Sequence, residues 1–325
     1  MASNDYEFRS PLAPLIRRLI QEKQAVGYKY QAGTESLARL DRFLKSEGLA
    51  QCELPRPMVR KWLIKQPHES AKNQQARAST VRQLATFMLK QGCSADVPGP
   101  YLVAKGDNSF SPRIFTQIEI QRLIHEADQF EPSGHAPLRH LVMPEVFRLL
   151  YGCGFRLSEV LHLKVSDVDL DRGVLTVRET KFGKDRQIPP ATALVQRLQQ
   201  FAAKCGRRPT GAYFFPTLHG GPWAMTTVYH NYRQLLLRSG IPHGGRARGP
   251  RVHDLRHTFA VHRLLRWYRE GADLNAKLPV LAAYLGHQSL AGTQRYLHLT
   301  AELFPEIAVR SNTAFGDVIP RRFTP

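Results

Sequence analysis

The chain has 325 residues, 42% of them apolar, which suits two domains with buried cores and excludes a wholly disordered chain. Lys and Arg number 46 against 27 Asp and Glu, a net charge of +19, and such self-repulsion calls for an anionic partner, nucleic acid ahead of a membrane surface. No run of about twenty apolar residues is present to cross a bilayer, the N-terminus carries Asp5 and Glu7 rather than an apolar leader, and Cys52, Cys93, Cys153 and Cys205 form no CxxC pair or disulfide scaffold; the expectation is a soluble protein of the reducing cytoplasm.

In chain order, Leu12, Leu15, Ile16, Leu19 and Ile20 follow the 3.6-residue period, and Gly27 stands where that helix would stop. Thr34 is placed to cap a second helix with Leu37, Leu40, Phe43 and Leu44 on one face and Gly48 beyond its end. Met58, Trp62 and Leu63 predict a short third helix, and Val81, Leu84, Ala85 and Met88 a fourth, closed by Gly92. Residues 1–110 hold 17 basic and 10 acidic side chains, so residues 1–100 read as a small, basic, all-helical module. Three Pro and two Gly in residues 97–112 mark an inter-domain linker, set at 101–112. Thr116 and Glu119 form a capping box before a new helix. A helix around 138–151 leads into GCGFRLSEVLHL, and the alternation of GVLTVRET (173–180) before FGKD and RQIPP predicts a hairpin. Helices follow at about 191–204, 226–239, 254–270, 278–285 and 291–299. The fold class is mainly α with a small antiparallel β-sheet.

Several chemistries are poorly represented. No Walker A loop is present, Gly152-Cys-Gly154 lacks the third glycine of a dinucleotide site, and no carboxylate cluster stands ready for two metals. The segment RVHDLRHTFAVHRLL (251–265) is the richest: His253, Arg256 and His257 lie within about one helical turn, and eight Arg with one acid, Asp254, fall between Arg238 and Arg269. The i, i+4 spacing of His253 and His257 is that of a zinc-protease helix. However, Asp254 replaces the required Glu and Arg256 would sit beside the cation. An anion site suits the residues better, because guanidinium matches phosphate. Elsewhere, Arg156 has Glu159 as its i+3 neighbour, ordinarily a surface ion pair. Lys181 lies at the hairpin turn, ordinarily a solvated lysine. His287 follows Gly286, ordinarily a structural histidine, and Tyr296 falls in AGTQRYLHLT, where a tyrosine is ordinarily half-buried core.

Taken jointly and in order, these residues closely resemble the tyrosine recombinase (phage integrase) family. The matching motifs are GFRLSEVLHL, the lysine of TKFGKDRQIPP, HDLRHTF and LGHQSLAGTQRYLH. The resemblance covers roughly 113–300, with the N-terminal helices a generic match to the family's core-binding domain, which implies a DNA-binding role for residues 1–100. The segment RWYREGADLNAKLP makes the His257–His287 interval longer than the commonest form. The resemblance implies a catalytic α+β domain over 113–325 with a C-terminal tail, and a site of Arg156, Lys181, His253, Arg256, His287 and the nucleophile Tyr296. The arginines would clamp a scissile phosphate, His253 would assist removal of the Tyr296 proton, His287 would bond the phosphate and Lys181 would protonate the leaving 5′-oxygen. A 3′-phosphotyrosine would conserve the bond for rejoining, without metal or cofactor.

The implied partners are double-stranded DNA, further copies of the chain in a tetrameric synapse, and accessory recombination proteins, with no membrane and with nucleoid association when DNA is bound. Integration, excision and transposition all fit. Residues 300–325, with Leu303, Phe304, Ile307 and Val309, would pack in cis or dock on a neighbouring protomer. Two alternatives stand beside the recombinase reading, one sharing the nucleophile and clamp logic and one the fold alone. A type IB topoisomerase-like enzyme is disfavoured by the N-terminal helical module, and a non-catalytic DNA-binding regulator by the intact polar set.

Overall fold

A computed structural model describes residues 6–103, 111–134, 136–178, 185–245, 249–287 and 289–299. The chain divides into two compact units, Met1–Ser111 and Pro112–Pro325. Among the described residues no helix is long and apolar enough to cross a membrane.

The first unit contains α1 (Ala13–Ala25), α2 (Gln31–Ser46), α3 (Arg56–Leu63) and α4 (Ala71–Lys90). Leu12, Ile16, Leu37, Leu40, Leu44, Val81, Leu84 and Met88 close its core, each burial stabilising by about 1.5–3 kcal/mol relative to exposure. The Asp41 carboxylate accepts the backbone N–H groups of Arg9 (2.7 Å) and Ser10 (3.0 Å), fastening the leading segment to α2. The expected cap of α2 is corrected. Tyr30, in the left-handed region at φ 46°, precedes the first turn, and Thr34 lies inside the helix, its hydroxyl donating to the Tyr30 carbonyl at 2.9 Å. Tyr30 is held from outside, because its hydroxyl bonds Gln83 of α4 at 3.1 Å. α4 starts well before its apolar positions, capped by Ser70, whose hydroxyl accepts from the Asn73 N–H at 3.2 Å.

The second unit opens with α5 (Gln117–Asp128), where Thr116 Oγ1 accepts from Glu119 N (3.2 Å) and Glu119 accepts from Thr116 N (2.9 Å). α6 (Arg139–Gly152) runs through the middle of the core, with Val142, Met143, Val146, Phe147, Leu149 and Leu150 buried. After α7 (Leu157–Leu161) come β1 (Val168–Asp169), β2 (Val174–Val177) and β3 (Arg186–Ile188), an antiparallel sheet in the order β1-β2-β3. Leu175 stands opposite both Val168 and Ile188, so the apolar side of each strand faces inward. β1 was not expected, since two residues carry no alternation. Residues 179–184, on which the expected turn and Lys181 fall, lie outside the described residues.

α8 (Thr192–Cys205), α9 (Met225–Arg238), α10 (Asp254–Arg269) and α11 (Leu274–Leu285) complete the helical layer. α11 begins earlier than expected because Asp273 caps it, accepting from Asn275 N at 2.8 Å. The expected single helix over 291–299 is corrected to α12 (Ala291–Gln294) followed by a 3-10 turn, Arg295–Leu299. α10 joins two cores: Leu255 belongs to the α6 cluster, whereas Phe259, Val261, Leu264 and Leu265 pack with Leu278, Leu281, Leu285 and Tyr296.

Candidate active site

The C-terminal end of α11 organises the site. A helix leaves its last carbonyls without intrahelical partners, and here two guanidiniums satisfy them. Arg256, on the first turn of α10 and 1% exposed, donates to the Leu285 carbonyl and, at 2.6 Å, to that of Gly154. Arg156 donates to the Gly286 carbonyl at 3.1 Å. Both glycines are required by shape. Gly154 (φ 62°) and Gly286 (φ 66°) sit in the left-handed region, and a Cβ on Gly154 would fall 2.6 Å from the Phe259 ring.

The i+3 spacing of Arg156 and Glu159 suggests one helix for both, but Arg156 stands immediately before α7 in extended conformation. Its partner Glu159 is no surface residue: the side chain is 8% exposed. Its carboxylate accepts from the Arg156 backbone (2.8 Å) and guanidinium (2.7 Å), and from both terminal nitrogens of Arg186 (3.0 and 2.7 Å). Burial works to raise the Glu159 pKa, but the hydrogen bonds and charge of Arg186, then Arg156, outweigh it and hold the group at about 2. Arg186, on β3, also donates to the Tyr284 carbonyl at 3.0 Å. It thereby ties the sheet to α11 and fixes the carboxylate that orients Arg156. Sequence reasoning passed over Arg186, although RQIPP beyond the hairpin lysine places an arginine on a strand facing the site.

Two histidines, His257 and His287, lie against Tyr296, which is 2% exposed on the 3-10 turn, and a third, His253, lies against His257. His287 stacks on the Tyr296 ring at 6.0 Å between centroids, and His287 Nδ1 lies 2.8 Å from the hydroxyl of buried Thr293. His257 Nδ1 is 3.2 Å from the Tyr296 hydroxyl oxygen. His253, at the N-cap of α10 and open to solvent, sets its ring edge-on to His257 at 4.8 Å. Desolvation against the protein, with the charge of Arg256 and its neighbours, lowers all three: His253 to about 4, His257 to about 3 and His287 to about 4. Because His253 keeps an open face, the guanidinium repulsion is the firmer of its two causes. Burial lowers Arg256 to about 10, where it remains a cation at neutral pH. Burial raises the Tyr296 phenol, against the opposing charges of Arg256 and Arg156.

The structure thus gathers Arg156, His253, Arg256, His287 and Tyr296 into one cationic cleft, with Glu159, Arg186 and His257 as members the sequence reading did not assign. Among the described residues, no group of three His, Cys, Asp or Glu is placed to hold a metal ion. Asp254 accepts the Arg251 N–H at 2.9 Å, closing the turn that leads into α10. Chemically, the cleft can hold an anion against two guanidiniums beside a protonated phenol and neutral imidazoles.

The phage integrase family matches residues 113–302. The tyrosine recombinase XerC of Xanthomonas campestris pv. campestris is 30% identical over 293 residues, covering 89% of this chain and 84% of XerC. The tyrosine recombinase XerD of Proteus mirabilis is 31% identical over 230 residues, 69% of this chain and 67% of XerD. The crystal structure of the XerH site-specific recombinase, bound to palindromic difH substrate after cleavage, shares the fold with a TM-score of 0.65 at 18% identity, over 93% of this chain and 97% of that one.

Proposed function

Because this chain belongs to the phage integrase family of tyrosine recombinases, we propose that it cleaves and rejoins duplex DNA at a defined site through a 3′-phosphotyrosine formed on Tyr296. The observation that carries this reading is the placing of one buried phenol beside two guanidinium-bearing segments: Tyr296 meets His257, the chain neighbour of Arg256, and His287, which follows the Gly286 carbonyl held by Arg156. A phosphodiester is anionic and repels nucleophiles. Arg156 and Arg256 each retain N–H groups beyond those given to carbonyls, and these would neutralise the non-bridging oxygens and stabilise the charge that grows on them in the transition state. These two cations supply the electrostatic role that a divalent metal would play, so the reaction runs without one.

His287, held by Thr293, would donate to the phosphate once protonated there, and Lys181 would give its proton to the departing 5′-oxygen. The first unit would add phosphate contacts on the DNA, and copies of the chain would assemble on paired sites. Phosphate contacts give affinity and register without reading sequence.

The test uses a duplex selected from a random-sequence pool by its binding to the Tyr296→Phe protein. Wild type incubated with that duplex gives a covalent protein–DNA band on a denaturing gel, undiminished in excess EDTA. Tyr296→Phe gives none. Tyr284→Phe, whose ring packs on Phe259 at 5.7 Å, keeps the band. A band that persists in Tyr296→Phe refutes the assignment, and one abolished by EDTA and restored by a divalent metal refutes the metal-independent reading. Relaxation of plasmids that lack the selected site would favour the topoisomerase-like alternative.

A further inference from the structure

We propose that His257, and not His253, accepts the Tyr296 proton as the phenolic oxygen attacks phosphorus. This rests on the reading of Tyr296 as nucleophile. The geometry divides the three histidines by task. His287 Nδ1 is engaged with Thr293 and its ring lies along the Tyr296 ring. His253 is at the solvent-open mouth, one helical turn from His257. His257 alone places a ring nitrogen on the hydroxyl, at 3.2 Å with ring centroids 5.5 Å apart. Among the described residues, no other proton-accepting side chain is hydrogen-bonded to that oxygen.

The starting protonation states suit the task. His257 faces His253, Arg256 and Arg251 from α10 and the turn before it, His287 from the segment after α11, and Tyr296 from the 3-10 turn. Burial and these charges keep its imidazole neutral, while burial keeps the phenol protonated. In the tautomer this role requires, the hydroxyl donates and Nδ1 accepts, with the imidazole hydrogen on Nε2. A phosphodiester against Arg156 and Arg256 offsets the guanidinium charge and makes the imidazole more basic.

In the cleavage step the Tyr296 oxygen–phosphorus bond forms and the phosphorus–O5′ bond breaks. The phenolic proton moves to His257 Nδ1, and the 5′-oxygen takes a proton from Lys181. Rejoining reverses each transfer: the 5′-hydroxyl attacks, and the imidazolium returns its proton to the released phenolate.

The test compares single-turnover adduct formation by wild type, His257→Gln and His253→Gln on the selected duplex from pH 5.5 to 9. Wild type should be nearly flat from pH 6 to 8. His257→Gln should fall by about 10²–10⁴-fold at pH 7 and recover roughly tenfold per pH unit, because its phenol must lose the proton to solvent. Its duplex affinity should stay within about threefold of wild type, since no phosphate contact is removed. A His257→Gln rate within about threefold of wild type overturns the proposal, as does a slowed rate with the flat wild-type profile or a sloped profile in His253→Gln instead. If wild type forms no adduct, the nucleophile reading fails and takes this one with it. If wild type reacts and His257→Gln is unaffected, only the role of His257 is lost. Nitrogen-15 NMR of free wild type is independent of how the variants fold: His257 must show a bare Nδ1 whose shift moves in Tyr296→Phe, and a protonated Nδ1 overturns the proposal.

Discussion

Replacing Glu159 by Gln tests the electrostatic frame of the site. The carboxylate is 8% exposed and paired with Arg186, itself 9% exposed. Its pKa is held at about 2 against an ordinary 4.5. A depression of that size corresponds to about 3 kcal/mol favouring the folded state at pH 7. Little discount for solvent screening applies to a pair this deep, and removing one partner strands the other, which costs about 3–5 kcal/mol in comparable buried pairs. Because the folded pKa is depressed, the stabilisation is fully present above the unfolded value near 4.5 and disappears as pH falls through 2. The gap between wild type and Glu159→Gln should therefore be about 3 kcal/mol at pH 7 and only about 1.4 kcal/mol at pH 3. Urea unfolding of the full chain in a Trp62→Phe background leaves Trp223 and Trp267 to report on the second unit. A gap under about 1 kcal/mol at pH 7, or one that does not shrink with acid, would refute the reasoning.

Three further outcomes follow from the same geometry. Gly154→Ala forces a Cβ to within 2.6 Å of Phe259 at φ 62° and should destabilise the second unit by about 3 kcal/mol, read by urea unfolding, while slowing adduct formation through the displaced Arg256. With a net charge of +19, affinity for the selected duplex should fall linearly in log salt, on the order of 10³-fold between about 50 and 200 mM, and a flat response would contradict phosphate gripping. Binding that duplex at pH 6 should take up protons, seen calorimetrically in two buffers of different ionisation enthalpy; uptake of zero, or uptake unchanged by His287→Gln, would refute coupling to the imidazoles.

Helices whose apolar positions recur regularly were legible in the sequence, and so were the family motifs that hold Arg156, His253, Arg256, His287 and Tyr296. What escaped depends on contacts distant in sequence. Tyr30, rather than Thr34, starts α2 because it is tethered to Gln83, 53 residues away. The first turns of α4, AKNQQARAS, are polar and carry no period for a pattern to detect. Glu159 looks like half of an exposed i, i+3 pair until Arg186, 27 residues on, is brought against it. His257 drew notice for its spacing from His253, which suggested a metal; its partner is a hydroxyl 39 residues later. Spacing within one helix identifies which side chains share a face, but not what another element lays upon that face.

The charges of the cleft explain why those distant contacts belong together. Arg156, Arg186 and Arg256 stand around a single carboxylate, Glu159. Three guanidiniums and one carboxylate leave two positive charges over, in a setting too buried for water to screen them fully. The chain meets part of that cost with carbonyl oxygens of Gly154, Tyr284, Leu285 and Gly286, dipoles that the end of α11 and the bend after α6 leave available. Burial, and with it the remaining repulsion, bears on the groups able to shed a proton, and His253, His257 and His287 all favour the neutral form. An anion brought to Arg156 and Arg256 removes that pressure. The same phosphate that offers itself to Tyr296 would then raise the basicity of His257 beside the hydroxyl and let His287 become a donor. On that reading the arginines would serve twice: they would hold the phosphate, and until it arrives their charge adds to burial in keeping the imidazoles neutral.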